Sequence, residues 1–292
     1  MSPTFEASAP AKINLGLRIL ARRPDGYHTL DSVFAPLDLH DRLRLHAEEA
    51  AQPRVQVTLT GEHAAGVPAA GEDLAGRAAR AFLAESGVSL AIGIELDKRI
   101  PVAAGLGGGS SDAGGVLRLL AGAWPKAIAR PRLLALARSL GADVPYFLDP
   151  RPARVGGIGE EIRPLALPTL ALLLVNPGGP LPTTEVYRAF DALVPVPGSG
   201  RRDTRPELRL PGAAAPVSLH NDLEPAAVRL CPGLSRLREQ LVALKPAAWG
   251  MSGSGPTLFG IFDSAAAAED ARRRARFPAP AWSRVAATRE CG

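Results

Sequence analysis

The chain has only two cysteines in 292 residues, Cys231 and Cys291. That excludes a disulfide framework and a cysteine-built zinc site, and it fits a reducing, cytoplasmic setting. No run of about 18 apolar residues occurs, so no membrane span is expected. Prolines break up the most apolar stretch, Leu165 to Val175. The segment Met1 to Glu6 lacks the basic region and apolar core of a signal peptide. Aromatic residues make up 5% of the chain, so an aromatic side chain in a loop stands out. Lysine is scarce as well: Lys12, Lys98, Lys126 and Lys245 are all there is among 34 basic residues. In a chain that otherwise uses arginine, a retained lysine points to a need for a compact point charge.

What remains is ordinary for a globular protein: 46% hydrophobic and 22% charged residues, enough for one large domain or two modest ones. The net charge of +5 allows a nucleic-acid partner. The arginines are spread along the chain, however, apart from Arg272-Arg273-Arg274 on an expected helix. A polyanionic small substrate would favour a positive cleft equally well.

The most informative stretch is Pro101-Val-Ala-Ala-Gly-Leu-Gly-Gly-Gly-Ser-Ser-Asp112. An apolar strand pattern, Leu90 to Leu96, precedes it, with the basic turn Asp97-Lys98-Arg99 between. A helical pattern follows through Val116, Leu117 and Leu120. Glycines let the backbone approach a ligand closely, and Ser and Asp are expected to cap the first helical turn. Loop N–H groups and a helix N-terminus together suit a bound phosphate. No Lys follows the glycines, which excludes a P-loop, and Ser110 stands where a dinucleotide fingerprint needs its third glycine.

Elsewhere, Ile13, Leu15, Leu17 and Ile19 alternate with Asn14, Gly16 and Arg18, a strand pattern that puts Lys12 and Asn14 on one face. Arg22-Arg-Pro-Asp-Gly26 is a turn signal just before Tyr27 and His28. Further strands are expected over Leu37–Leu45, Val55–Leu59 and Thr169–Val175. Helices are expected over Leu74–Leu83, Pro131–Leu140 and Thr183–Phe190, and a hairpin over Arg154–Glu161. Gly141-Ala-Asp143-Val-Pro145 fixes a carboxylate on a stiff, non-helical segment. Pro195–Ala215, rich in Pro, Gly and Arg, reads as a mobile insertion. A second glycine-rich segment, Gly250-Met-Ser-Gly-Ser-Gly-Pro256, precedes an apolar strand.

Three motifs in this order, Pro10-Ala-Lys12-Ile-Asn14-Leu-Gly-Leu, the loop at 101–112 and Ser252-Gly-Ser-Gly-Pro-Thr257, resemble the galactokinase, homoserine kinase, mevalonate kinase and phosphomevalonate kinase superfamily. The added matches Arg23-Pro-Asp-Gly-Tyr27-His28, Leu140-Gly-Ala-Asp143-Val-Pro, Pro182-Thr183 and His220-Asn-Asp-Leu-Glu224 resemble its branch acting on a cytidine diphosphate conjugate of methylerythritol. The chain departs from that pattern at Val102-Ala103-Ala104, where the family has more glycine, and at Glu72-Asp73-Leu74, where Asn is commoner.

The resemblance implies an α+β, two-domain small-molecule kinase. Residues 1–165 would form an ATP-binding half like domain 2 of ribosomal protein S5, and residues 166–292 a ferredoxin-like half, with the active site in the cleft between. It implies ATP-dependent phosphorylation of a 2-hydroxyl on the non-mevalonate route to isoprenoid precursors, with Mg²⁺ accompanying ATP and no assignable metal ligand. Asp143 would accept the hydroxyl proton, and Lys12 would stabilise charge on Asp143 and the nucleophile. ATP would be held by Lys98, Pro101, Val102, Ala103, Ala104, Gly105, Leu106, Gly107, Gly108, Gly109, Ser110 and Ser111. Asn14, Tyr27, His28, Thr183 and Tyr187 would hold the substrate, with His28 reading the cytosine. The implied partner is this small molecule, with no nucleic acid and no membrane, for a monomer or homodimer. Taken singly, each residue also has a structural reading: Asp143 as a loop cap, Lys12 as a solvated strand residue, Tyr187 as packing for its helix. Another superfamily kinase or a non-catalytic RNA-binding protein remain the alternatives. Tyr27-His28 argues against the first, because a homoserine or mevalonate kinase has no cytosine to read.

Overall fold

The computed structural model of the chain describes residues 3–68, 72–193, 207–208 and 217–289. Its contacts divide the chain into two units, one of residues 1–11, 39–102 and 107–150, the other of residues 12–38, 103–106 and 151–292. Two long strands, β1 (Thr4–Arg22) and β2 (His28–Glu49), pair with each other and contribute to both.

In the first unit β3 (Arg54–Thr60) runs parallel to β4 (Leu90–Asp97), and β4 runs antiparallel to the far half of β2, from Arg42↔Asp97 to Glu49↔Leu90. Alternate residues of β4 (Leu90, Ile92, Ile94, Leu96) are buried, as period-two patterning requires. They pack in one core with Ala78 and Phe82 of α1 (Leu74–Ser86) and Val116, Leu117 and Leu120 of α2 (Gly108–Ala123). Leu133 and Ala137 of α3 (Arg130–Leu140) join them. Asp73, at the departure noted above, caps α1: its carboxylate accepts the Gly76 N–H at 2.8 Å. Gly114 lets α2 approach its neighbour closely, since a Cβ there would lie 2.5 Å from the Phe147 Cβ.

The second unit is built on an antiparallel sheet ordered β10 (Ala248–Met251), β11 (Leu258–Phe262), β7 (Ala171–Asn176), β12 (Trp282–Ala287). Leu172, Leu173, Leu174 and Val175 of the inner strand β7 are all fully buried, so both its faces are covered. The unit also holds α4 (Thr183–Leu193), α5 (Glu224–Leu230), α6 (Gly233–Ala243) and α7 (Ala265–Arg274). β5 (Ala153–Gly156) joins the near half of β2 to β6 (Glu161–Pro164), forming the expected hairpin. The two-residue strands β8 (Glu207–Leu208) and β9 (Val217–Ser218) pair. Apart from Glu207 and Leu208, the insertion expected over Pro195–Ala215 lies outside the described residues. Among the described residues no helix is long and apolar enough to cross a membrane.

Candidate active site

The helix after the glycine loop starts earlier than its capping residues imply. Gly107, at φ 71°, is the N-cap of α2 and provides no side-chain cap. Ser110, Ser111 and Asp112 therefore lie inside the helix rather than capping it, because only a glycine takes the left-handed turn at its mouth without strain. The first helical bond runs from Ser111 N–H to Gly107 O at 2.9 Å. The N–H groups of Gly108, Gly109 and Ser110 precede it and are free of the helical ladder, as an anion site needs. Ser111 Oγ is buried with no hydrogen-bond partner. At the loop's start Ala103, where the family favours glycine, sits at φ 51°.

Beneath the helix mouth lies a buried ion cluster. Lys98 Nζ donates to Asp112 Oδ2 at 2.6 Å and to Asp41 Oδ2. Asp41 Oδ1 also accepts the N–H groups of Arg99 (2.5 Å) and Ile100 (2.9 Å). All three charged residues are at most 3% exposed. The Lys98 side chain, expected to hold ATP, is thus committed to two carboxylates. Burial pushes the Asp112 carboxyl up to about 8; the Lys98 charge pulls it down and the Asp41 charge pushes it further up. Lys98 is raised: burial opposes its charge, and Asp112 and Asp41 together outweigh that.

In the second unit three chain-distant motifs meet. Lys12 Nζ donates to Asn14 Oδ1 at 2.6 Å, and Asn14 Nδ2 donates to Ser32 Oγ at 2.9 Å. The Asn14 N–H donates to Ser252 Oγ (3.1 Å), which donates in turn to Gly105 O (2.8 Å). Lys12 N–H bonds Leu106 O at 2.9 Å. Asn221 Nδ2 ties Met251 O and Gly253 O, each at 2.8 Å, and Thr183 Oγ1 meets Ser254 Oγ at 2.9 Å. Lys12 and Asn14 do share a face, and the solvated reading of Lys12 fails: it is 4% exposed and its ammonium lies 4.6 Å from the Phe34 ring centre.

A second cluster in this unit surrounds His28. Its Nε2 lies 2.7 Å from Asp191 Oδ1. The Tyr187 ring packs against the imidazole at 5.0 Å between centres, and Phe190 meets it edge-on at 6.1 Å. Tyr27 is exposed, its N–H held by Asp25 Oδ1 at 3.2 Å. Asp143 belongs to the first unit, half-buried in the turn that follows α3, where Val144 N–H bonds Gly141 O at 3.1 Å. Sequence reasoning missed Asp41 and Asp191. Both had a signal. Asp41 falls in register with the buried Leu39, Leu43 and Leu45, and Asp191 lies one helical turn beyond Tyr187.

The chain is similar to known kinases along its length. Residues 73–149 match the model of the GHMP kinases N terminal domain, and residues 204–281 that of the GHMP kinases C terminal. The 4-diphosphocytidyl-2-C-methyl-D-erythritol kinase of Gluconacetobacter diazotrophicus is 44% identical over 92% of this chain and 90% of its own. That of Cereibacter sphaeroides is 41% identical over 95% and 96%. A crystal structure of 4-(cytidine 5'-diphospho)-2C-methyl-D-erythritol kinase superposes with TM-score 0.72 at 39% identity, covering 98% of this chain and all of the other. Homoserine kinase from Cytophaga hutchinsonii, at 17% identity and TM-score 0.70 over 99% and 96%, shares the fold.

Proposed function

The chain belongs to the 4-diphosphocytidyl-2-C-methyl-D-erythritol kinase family of GHMP kinases, and we propose that it transfers the γ-phosphoryl group of ATP to the 2-hydroxyl of that cytidyl conjugate, releasing ADP. The step belongs to non-mevalonate synthesis of isoprenoid precursors, in the cytoplasm. The observation that carries the reading is the meeting of Lys12-Ile-Asn14, the start of the glycine loop and Ser252 through Asn14 N–H, Ser252 Oγ and Gly105 O.

Phosphoryl transfer needs positioning and charge neutralisation more than covalent catalysis. In this reading the loop from Pro101 to Ser111 wraps the phosphates, with the free N–H groups at the start of α2 facing the anion. Lys98 acts through the loop, since its ammonium is held by Asp41 and Asp112. The substrate hydroxyl oxygen bonds to the γ-phosphorus as the bond to the β-phosphate oxygen breaks, and Asp143 takes the proton. Lys12 balances the charge that develops. Asn14, Tyr27 and Thr183 hold the substrate, while His28 and Tyr187 take the pyrimidine by hydrogen bond and ring face. The residues fit Mg²⁺ entering with ATP: the orphaned Ser111 hydroxyl would help to hold it, and it would neutralise phosphate charge. Among the described residues no cluster of three acidic, His or Cys side chains offers it a cage.

The test is incubation with ATP, Mg²⁺ and the cytidyl conjugate, with ADP and the phosphorylated product followed by mass spectrometry. Transfer to the conjugate but not to homoserine or mevalonate is expected. Transfer to neither the conjugate nor any of these alcohols overturns the reading.

A further inference from the structure

Helix α4 presents Tyr187, Phe190 and Asp191 at i, i+3 and i+4, so all three lie on one face. That face closes on His28. Tyr187 covers the ring, Phe190 meets it edge-on, and Asp191 Oδ1 takes Nε2 at 2.7 Å. Asp191 is itself steadied by Arg22, whose Nε lies 3.4 Å from its other oxygen. The His28 side chain is 4% exposed, so it has little freedom to flip its ring.

A carboxylate has no proton to give. The short contact therefore puts a proton on His28 Nε2, and a ring that carries this proton alone presents a bare lone pair at Nδ1. Nδ1 has no hydrogen-bond partner among the described residues. We propose that Asp191 is a positioning residue that locks His28 in the Nε2–H tautomer, and that this tautomer selects cytosine over uracil. The inference rests on the activity proposed above and adds the rule by which the base is chosen. Cytosine carries an amine donor at C4, which an Nδ1 lone pair accepts. Uracil carries a carbonyl oxygen at the same place, so two acceptors would face each other with no proton between them. A site that leaves a buried polar group unpaired rejects a ligand far more strongly than one that merely fits it loosely.

Two variants separate this role from simple packing. Asp191→Asn keeps size and fold, but its amide can donate to Nε2, which moves the ring proton to Nδ1. Asp191→Ala leaves the tautomer unfixed. The ring of His28 is read directly by ¹⁵N-histidine NMR of the free protein. The signal is assigned among the five histidines by difference from His28→Gln. The expected spectrum is Nε2–H neutral imidazole in the unaltered chain and a shift toward Nδ1–H in Asp191→Asn. In kinetics, Asp191→Asn should lower the ratio of kcat/KM for the cytidine conjugate to that for the uridine conjugate by about tenfold or more. The rise in KM for the cytidine conjugate should exceed the fall in kcat, while KM for ATP holds. Asp191→Ala should fall between.

An Nδ1–H or doubly protonated ring in the unaltered, cytidine-active chain overturns the proposal and leaves the activity standing. So does an unchanged base preference in Asp191→Asn. A chain that phosphorylates neither conjugate overturns the activity reading, and the selection rule with it, whatever the spectrum shows.

Discussion

Asp112→Asn should change how stability depends on pH while leaving the fold intact. The buried cluster holds two carboxyl groups and one ammonium, so it is neutral only if one carboxyl keeps its proton. Burial favours that outcome at Asp112, whose pKa stands at about 8 against an ordinary 3.8. Its Oδ1 is buried without a partner, which a neutral carboxyl tolerates better than a charged one. The sign follows from proton counting. Between those two values the folded state holds a proton that the unfolded chain has released. Stability from this group is therefore complete below about pH 4 and is lost as pH rises through about 8.

The slope from one such proton is at most about 1.4 kcal/mol per pH unit, so from pH 5.5 to 7.5 the loss approaches about 2.7 kcal/mol. Asn keeps a carbonyl to accept from Lys98 and has nothing to titrate. The variant should lie close to the parent at pH 5.5 and be the more stable protein at pH 8. Urea melts at half-unit intervals from pH 5 to 8.5 provide the difference curve directly. Parallel pH profiles for the two proteins would refute the reasoning, since they would mean that Asp112 is ionised in the folded chain across the range.

Lys98→Met strands the buried Asp41 carboxylate beside a protonated Asp112 and should cost about 3–5 kcal/mol, read as a fall in the urea midpoint; a loss under 1 kcal/mol would show the cluster to be wetter than its burial implies. Asp143→Asn should lower turnover by roughly 10²–10⁴ with ATP binding nearly unchanged by calorimetry, and near-parental turnover would remove its role as base. His28→Ala should raise KM for the cytidyl conjugate, and an unmoved KM would remove the base-reading role. Ala103→Gly relieves a left-handed conformation worth about 1–2 kcal/mol against a glycine entropy loss of roughly 0.5–1 kcal/mol, so a small rise in Tm is expected, and a fall would count against strain at φ 51°.

Strands and helices were legible where one face is apolar. Ile13, Leu15 and Leu17 announced β1, and the helical spacing of Ala78 and Phe82 announced α1. Polar residues inside those patterns were the difficulty. Lys12 and Asn14 alternate with Ile13 and Leu15 as solvent-facing residues do, yet both are buried, because the Lys12 ammonium donates to Asn14 Oδ1 and the Asn14 amide to Ser32 Oγ in place of water. The backbone there is met from further off, the Asn14 N–H by Ser252 Oγ 238 residues away and the Lys12 N–H by Leu106 O, so no local pattern could reveal the site. The capping error at Ser110–Asp112 has the same origin. A Ser-Ser-Asp run before an apolar helix has strong local preference for the cap, but Asp112 is drawn inward by Lys98, and glycine takes the cap position instead. Asp41 shows the converse, a carboxylate set among buried leucines that patterning alone would have placed in water. At Asn14, Asp41 and Asp112 a polar side chain took a buried position because a group from another part of the chain satisfied it. Buried polar residues that local rules assign to solvent are therefore where this chain's candidate function concentrates, and Asp191 beside His28 is the instance that the base-selection experiment addresses.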